Sequence, residues 1–508
     1  MEVELLRKDP AVQKRLTDDS IAKINSALHS LRSRGSSARP VRELSLHPLA
    51  HVLLPKKEPF DFRKIAILQP VDLAVYQALT IVIAATFEGA RRDIARRRIF
   101  SHRYSPKLKD GQIFDPAHSH QSFRAASANI SQRRNMRYMV KSDVANFFDR
   151  INIHRLESTL LSIPGLDKRM ITLVTQVLLH WARRDSYGIP VGSNASRVLS
   201  EIALYNVDRS LKEAGLTFIR FADDYRIFTR TATAAHSALA RLIELLGQEG
   251  LFINTRKSSI EKVERVPRVH EAVRRENGSP RKPTKEFRII AGYGGTIPTR
   301  YRRPNDDAQA RYMTVNLREA IKKIKNDKFA EADEVRGVLL AIVTQAQYRH
   351  MPSACAIVDL YPQFYPLFVD ILIKHADKID QRVKCDLISW FSGKIERHDF
   401  LPEYIQVSLV RLVGSKEFFA RDVVMNVIRS LRLNAGTYFG RVVFEVAHNL
   451  SDRRDALEVR NYFDRADDWE RRRISRLMRK VLPGGEFGAW QRSIAPYVAA
   501  DPFVSSKK

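Results

Sequence analysis

The spacing of apolar residues divides the chain into regions of different character. Residues 1–59 have the spacing of an amphipathic helical lead-in, and residues 60–260 mix strand-like runs with helical ones. The stretch "RYMVKSDV" (137–144) alternates with a period of two, whereas "MITLVTQVLLHWARR" (170–184) and "AAHSALARLIELLGQEG" (234–250) repeat with helical spacing. In "FIRFADDYRIF" (218–228), two apolar runs flank a pair of carboxylates, which predicts a tight hairpin. Strands separated by long helices predict an α+β domain over residues 60–260.

The pattern changes near residue 305. Residues 305–508 read as successive amphipathic helices with short joints and little strand signal, such as "VRGVLLAIVTQAQY" and "FGRVVFEVAHNL". Helices of this length stacked in pairs predict an all-α, HEAT-like domain, although the sequence lacks a clear repeat of about 40 residues. An irregular helical bundle is the alternative, and the sequence does not separate the two.

The balance of charge indicates a polyanionic partner. The chain carries 86 Lys and Arg against 57 Asp and Glu, which gives a net charge of +29. Residues 1–300 hold 51 basic and 30 acidic residues, so most of the excess lies where a grip on phosphate backbones is expected. Residues 261–304 form a basic segment between the two predicted domains, either a linker or a thumb-like module. Its candidate nucleic-acid contacts are Arg281, Lys282, Lys285, Arg302 and Arg303.

Composition narrows the class of protein further. A content of 44% hydrophobic and 28% charged residues is typical of globular proteins. The apolar run "ALTIVIAATF" (78–87) is too short to span a bilayer, and the N-terminus lacks the pattern of a signal peptide. Two cysteines provide neither a disulfide framework nor zinc-ligand spacing. We therefore predict a cytoplasmic protein that does not bind membranes.

Four stretches, taken in chain order, carry candidate chemistry. They are "VKSDVANFFDRI" with Asp143, "GIPVGSNASRVLSEIALYNVD" with its Gly/Pro turn, "RFADDYRIF" with Asp223 and Asp224, and "LFINTRKSSI" with Lys257. Mg²⁺ prefers oxygen ligands and takes only one or two carboxylates from a protein. Two such metals can clamp the attacking hydroxyl and the leaving pyrophosphate of nucleotidyl transfer. Asp143 and the hairpin can share metals only if their strands are neighbours in one sheet.

In this order, the four stretches resemble the palm motifs of reverse transcriptases. The resemblance covers residues 60–260 and implies a right-hand fingers and palm fold that binds two Mg²⁺ ions, with Mn²⁺ as the alternative. It implies that Asp143, Asp223 and Asp224, with the backbone carbonyl of Val144, hold the metals. Lys257 matches the residue that protonates departing pyrophosphate, and Phe148 matches the steric gate that selects dNTPs over rNTPs.

Further residues match nucleotide-binding positions of the same family. The Gly/Pro turn contributes Gly188, Pro190 and Gly192. Upstream, "FRKIAILQPVDLAVYQAL" and "RRRIFSHRY" resemble the fingers motifs of bacterial reverse transcriptases, where basic side chains hold the triphosphate. Arg63 and Arg103 are the candidates for this role, although both could equally be ordinary surface or ion-paired arginines.

Two departures from the family pattern narrow the resemblance. Val191 stands where retroviral, intron and retron enzymes usually have Gln, which brings strict templating into question. The long helical C-terminus is most similar to bacterial defence-associated and abortive-infection reverse transcriptases of the AbiA and AbiK type. This resemblance implies DNA synthesis in antiphage defence, either RNA-templated or template-independent. It also implies priming from a protein tyrosine in some members and homo-oligomers formed through the helical domain.

Other interpretations remain open at this point. The chain could be an intron- or retron-like reverse transcriptase that copies a structured RNA, or a non-catalytic RNA-binding scaffold. Retention of the three carboxylates and Lys257 favours an enzyme. If a tyrosine primes synthesis, the sequence does not choose among Tyr104, Tyr187, Tyr205, Tyr225, Tyr293, Tyr301 and Tyr404.

Overall fold

A computed structural model describes residues 9–34, 40–56, 62–106, 112–183, 185–263, 300–326, 330–395, 401–431, 437–501 and 503. The chain divides into two compact units. One comprises Met1–Arg15, Pro48–Ile67 and Ala291–Lys508, and the other comprises Leu16–His47 and Leu68–Ile290. The second unit contains all four stretches of candidate chemistry.

The elements up to residue 263 alternate between helices and strands. They are α1 (Pro10–Arg34), α2 (Pro40–Leu44), β1 (Ala50–Pro55), β2 (Phe62–Ile67), α3 (Pro70–Ala90), α4 (Arg92–Ala95), α5 (His120–Ser131), β3 (Tyr138–Asp143), α6 (Phe147–Arg150), α7 (Ile153–Leu161), α8 (Lys168–Ala182), α9 (Asn194–Ala203), α10 (Tyr205–Glu213), β4 (Thr217–Phe221), β5 (Asp224–Thr229), α11 (Ala232–Gln248) and β6 (Ser259–Lys262). The predicted strand at 137–144 and the predicted hairpin at 218–228 are confirmed, as are the helices at 170–184 and 234–250.

A four-stranded antiparallel sheet forms the centre of the second unit. Its strand order is β4-β5-β3-β6, and β3 pairs with β5 from Tyr138 opposite Thr229 to Asp143 opposite Asp224. Helix α11 packs against β3 and β5, and α5 packs across β4 and β5. Phe123 of α5 is fully buried in a cluster with Ile219 and Phe228 of the sheet. Apolar side chains of the strands therefore anchor the sheet against the helices, and Asp143 and Asp224 lie at the ends of their strands.

Helix α3 is a core helix of this unit. Val75, Leu79, Ile83 and Phe87, spaced four residues apart, are buried, and the helix contacts α8 and α9. By length and composition alone, this 21-residue helix could cross a membrane, which the ten-residue apolar run in the sequence did not suggest. Half of its most apolar stretch is buried inside the unit, and core helices of globular domains can have the same length and apolar composition.

The helical region follows from residue 306 onward. Its elements are α12 (Asp306–Met313), α13 (Leu317–Asn326), α14 (Ala332–Thr344), α15 (Met351–Leu360), α16 (Tyr365–Lys374), α17 (Gln381–Ile395), α18 (Glu403–Val413), α19 (Arg421–Ser430), α20 (Tyr438–Ala447), α21 (Arg453–Arg460), α22 (Asp468–Val481), α23 (Gly484–Ser493) and α24 (Ala495–Ala500). Alternate helices stack in two rows: α13, α15, α17 and α19 form one row, and α16, α18, α20 and α22 form the other. This is the pairing that a HEAT-like array requires, and the predicted fold class is confirmed.

A short β-hairpin belongs to the same unit as these helices. Strands β1 and β2 pair antiparallel, with Leu54 opposite Arg63, and β1 contacts α18 and α20. Residues 50–55 were expected to belong to a helical lead-in. They form a strand because an alternating apolar run finds a partner strand and a helical surface to pack on.

Candidate active site

The catalytic candidates Asp143 and Asp224 lie directly opposite each other in the sheet. Asp143 is the last residue of β3 and Asp224 the first of β5, and the two form the terminal pair of their antiparallel ladder. Cα atoms of opposed residues in such ladders are about 4.5 to 5.5 Å apart. Asp143 and the hairpin therefore lie on neighbouring strands of one sheet, which shared metal binding would require.

Asp223 lies in the two-residue turn of the hairpin. Ala222, before it, has a φ of +55°, which a two-residue hairpin turn requires and which non-glycine residues rarely adopt. The N–H of Val144 donates to the carbonyl of Asp223 over 3.2 Å. This bond ties the hairpin turn to the residue that follows Asp143, and it places the backbone of Val144 beside the carboxylates.

Burial and mutual repulsion raise the pKa values of the hairpin carboxyls. Burial raises the pKa of Asp223 to about 7, and the neighbouring charge of Asp143 adds to the effect. Burial also raises the pKa of Asp224 to about 6, although the Arg226 guanidinium opposes the shift. Buried carboxyls beside another carboxylate resist ionisation unless a cation neutralises their charge, so the electrostatics of this region suit a metal ion.

Two donors from the segment after α11 reach the carboxylate of Asp143. Lys257 Nζ and Asn254 Nδ2 each lie 3.3 Å from its Oδ2. The N–H of Asn254 also donates to the carbonyl of Asp143 over 2.6 Å. Lys257 therefore lies at the site as predicted, and its role in protonating pyrophosphate stays a prediction. Asn254 was not predicted from the sequence, although its position in a turn three residues before Lys257 could have indicated it.

The donor set suits a hard divalent cation. Asp143, Asp223 and Asp224, with the backbone carbonyl of Val144, offer only oxygen atoms, which Mg²⁺ and Mn²⁺ prefer. Within the described residues, the side chains of His, Cys, Asp and Glu do not form a group of three that could hold a metal ion. Mg²⁺ in polymerases completes its shell with water and substrate phosphates, so an all-protein cage is not required. When bound, the metals would polarise the α-phosphate and stabilise the leaving oxygen.

The Gly/Pro turn packs against the predicted sugar gate. The N–H of Ile189 donates to the carbonyl of Phe148 over 3.0 Å, and the half-buried ring of Phe148 lies 5.5 Å from that of Phe147. Gly188 and Gly192 have φ angles of +88° and +117°, which favour glycine. The turn and Phe148 are thus brought together, and their contacts with a nucleotide stay a prediction.

The basic residues predicted to bind nucleotides or nucleic acid lie on other elements or outside the described residues. Arg103 forms an ion pair with Glu88 over 2.5 Å, and Arg63 lies on β2 in the unit of the helical region. Arg302 and Arg303 are exposed before α12. Arg281, Lys282 and Lys285 lie outside the described residues. For all of these residues, nucleotide or nucleic-acid binding stays a prediction.

Beneath the hairpin lies a buried ionic network that the sequence did not reveal. Arg220 is 1% exposed and donates to both Asp208 and Glu201, and Glu201 also accepts from Arg91. Although burial opposes its ionisation, the Arg220 and Arg91 guanidiniums hold the pKa of Glu201 well below its usual range. Arg91 also pairs with Glu88 over 2.7 Å, so each buried carboxylate of the network has a guanidinium partner inside the domain.

An antiparallel sheet that presents carboxylates from a strand end and an adjacent hairpin, beside a lysine, is an arrangement that metal-dependent nucleotidyl transfer requires. Residues 54–289 match the family model described as reverse transcriptase (RNA-dependent DNA polymerase). The chain therefore carries a reverse transcriptase domain, and the protein is a nucleotidyltransferase of the RNA-dependent DNA polymerase class. No curated protein matches its sequence.

Similar solved structures include two fungal telomerases. Apo telomerase from Candida tropicalis is 13% identical, with coverage of 74% of this chain and 68% of that chain and a TM-score of 0.32. Telomerase from Candida albicans in complex with the TWJ fragment of telomeric RNA is 12% identical, with coverage of 79% and 66% and a TM-score of 0.32. The chain thus spans about two thirds of the length of these proteins.

Proposed function

We propose that this protein synthesises DNA from dNTPs by two-metal catalysis and acts in antiphage defence in the cytoplasm. The pairing of Asp143 with Asp224 beside the turn carboxylate Asp223 is the observation that carries the catalytic part. The pKa of about 7 at Asp223 supports metal dependence, since burial and the charge of Asp143 raise it and a bound cation would offset both effects.

The proposal of a defence role rests on features outside the metal site. Val191 occupies the position after Pro190 in the Gly/Pro turn, and a stacked helical region follows the polymerase domain. Both features distinguish the chain from intron and retron enzymes, and both are similar to abortive-infection reverse transcriptases. We propose in addition that the protein forms homo-oligomers through the helical region and binds a template or companion RNA through its basic surfaces.

Tyr187 is our candidate acceptor for the first nucleotide. Its side chain is 49% exposed, and it directly precedes Gly188 of the Gly/Pro turn. Tyr225 and Tyr404 are 0% and 4% exposed, so a hydroxyl there could not attack an incoming nucleotide without unpacking the core. The Tyr187 hydroxyl would attack the α-phosphate, with pyrophosphate as the leaving group.

Phage challenge combined with product analysis tests this function. Cells that express the wild type are expected to plate fewer phage than cells that express Asp143→Asn, because the variant loses a metal ligand. The control Asp185→Asn changes an exposed carboxyl elsewhere in the same unit and should protect like the wild type. Equal plating with the wild type and Asp143→Asn would contradict the defence role.

The same preparations test the product and its primer. DNA that copurifies with the wild type should be sequenced, and its 5′ end should be examined by mass spectrometry after proteolysis. A nucleotide-linked peptide that contains Tyr187 is the expected result. A free 5′ end would exclude protein priming, and a product complementary to one RNA would establish templated synthesis.

Phe148→Ala is expected to admit rNTPs. Removal of the ring opens space beside the Gly/Pro turn, so discrimination against the ribose hydroxyl should fall by about 10²-fold. The measurement is kcat/KM for dATP and ATP on one primer-template. Phe252→Ala removes a 62% exposed ring in the same unit and serves as the control. Unchanged sugar discrimination in Phe148→Ala would remove the gate role from this residue.

A further inference from the structure

The peptide units on both sides of Ala222 are held by side chains. The N–H of Ala222 donates to Ser101 Oγ over 2.8 Å, and its carbonyl accepts from Arg220 Nη1 over 2.8 Å. Ala222 has a left-handed φ and immediately precedes the metal-ligand candidate Asp223. A strained backbone conformation at this position persists only where its surroundings specify it.

Ser101 reaches the turn because its own segment runs along the edge of the sheet. The N–H of Arg220 donates to the carbonyl of Arg98 over 2.8 Å, and the N–H of Phe100 donates to the carbonyl of Arg220 over 2.9 Å. These bonds extend the sheet beyond β4 and deliver Ser101, which is fully buried, to the turn. This segment is the one whose sequence indicated only a fingers motif.

Glu201 joins the two contacts into one network. Its Oε1 accepts from the Ser101 hydroxyl over 2.6 Å, and its Oε2 accepts from Arg220 over 3.0 Å. Because Ser101 donates its only proton to Glu201, its lone pairs are directed to other donors, and the N–H of Ala222 takes one of them. Arg91 contributes a further bond to Glu201 Oε2 over 3.0 Å.

We propose that Ser101, Glu201 and Arg220 are positioning residues that hold the turn of the hairpin so that Asp223 and Asp143 can share metal ions. The proposal rests on the proposed two-metal function. All three side chains are buried, so we assign them a positioning role and not a catalytic one. They act through the backbone of Ala222, and the bond from the Val144 N–H to the Asp223 carbonyl carries the constraint to the end of β3.

The expected consequence is a loss of turnover and metal affinity with little loss of nucleotide binding. Outer-shell partners of metal ligands are typically worth about 10- to 100-fold in metal affinity or activity. A displacement of about 1 Å at a reacting centre can cost about 10²-fold in rate. Ser101→Ala removes the acceptor of the Ala222 N–H without introducing bulk, so it isolates this effect.

The experiment compares Ser101→Ala with the wild type in two readouts. The first is steady-state dNTP incorporation, in which kcat should fall about 10- to 100-fold while the dNTP KM changes by less than about threefold. The second is Mn²⁺ binding to the free protein, followed by electron paramagnetic resonance, in which affinity should fall by about 10-fold. The second readout needs no polymerase activity. If the wild type binds Mn²⁺ but incorporates no dNTP, the proposed function is wrong, and the Mn²⁺ affinity of Ser101→Ala still tests the positioning role.

Two further variants separate positioning from general stability. Ser127→Ala removes another buried hydroxyl of the same unit, which donates to the Met139 sulfur over 3.7 Å, and should keep wild-type kcat and Mn²⁺ affinity. Ser101→Cys keeps the volume but offers a weaker acceptor, so it should show the same losses even if Ser101→Ala fails to fold. A folded Ser101 variant with wild-type kcat and Mn²⁺ affinity would overturn the proposal, as would equal losses in Ser127→Ala.

Discussion

Asp223→Asn combined with Asp224→Asn is expected to abolish dNTP incorporation and to make the metal-free protein more stable at pH 8. The loss of activity follows because a neutral amide lacks the negative charge with which a carboxylate holds hard cations. We expect a fall of about 10³-fold or more, since the variant removes two charges from a site that works by charge stabilisation.

The gain in stability follows from the raised pKa values. The pKa of Asp223 is about 7 in the folded protein, against about 3.9 for an unperturbed Asp. Between these values the folded state binds more protons than the unfolded state, so stability falls as the pH rises from about 4 to about 7. The pKa of about 6 at Asp224 adds a smaller effect of the same sign. The double variant lacks both carboxyls, so its stability does not show this fall with rising pH.

Thermal unfolding in EDTA measures the second effect. If the double substitution raises the free energy of unfolding by about 1 to 2 kcal/mol, Tm should rise by roughly 2 to 8 °C for a domain of this size. The difference should vanish at pH 4, where both carboxyls are protonated in the wild type. Asp185→Asn, at an exposed position, should leave activity and Tm unchanged. Residual incorporation in the double variant would show that the metal site lies elsewhere.

Arg220→Met is expected to destabilise the domain more than loss of any exposed arginine. The side chain is 1% exposed, and its removal leaves Asp208 and Glu201 buried with less positive charge around them. Breaking a buried ion pair by removing one partner typically costs about 3 to 5 kcal/mol. Differential scanning calorimetry should therefore show a large drop in Tm for the transition of this domain.

Two controls make this prediction specific. Arg241→Met removes an exposed arginine that pairs with Glu244 on α11, and it should cost less than about 1 kcal/mol. Adding Asp208→Asn to Arg220→Met should restore part of the lost stability, because the buried charge left without its guanidinium is removed. Equal losses for Arg220→Met and Arg241→Met would show that the buried network contributes nothing beyond an ordinary surface pair.

The local parts of the fold were predictable because they depend on neighbouring residues. Alternation in "RYMVKSDV" predicted β3, and the apolar runs around Asp223 and Asp224 predicted the hairpin of β4 and β5. Helical spacing likewise predicted α8 and α11 to within a few residues. Each of these signals reflects burial of one face of a single element, which the period of apolar residues records directly.

The features that the sequence did not indicate depend on contacts between distant segments. Arg103 was a candidate either for triphosphate binding or for an ordinary ion pair; it pairs with Glu88, fifteen positions earlier, and triphosphate binding stays a prediction. Residues 50–55 became a strand because β2 and the helices α18 and α20 provide surfaces that the local sequence does not reveal. Asn254 was overlooked because its contacts with Asp143 span 111 positions.

By itself, the sequence predicted the chemical groups of the candidate site, which are three carboxylates, a lysine and a Gly/Pro turn, in an order that resembles the motifs of a polymerase palm. Local backbone preference and apolar periodicity suffice for that, since each group lies on a short element with its own signal. Only the tertiary structure decided how these groups are held. Ser101, Glu201 and Arg220 meet at the hairpin turn because residues 98–101, α9 and β4 come together in the fold. From sequence alone a charged side chain is expected to be exposed, since only the fold supplies the partners that allow its burial.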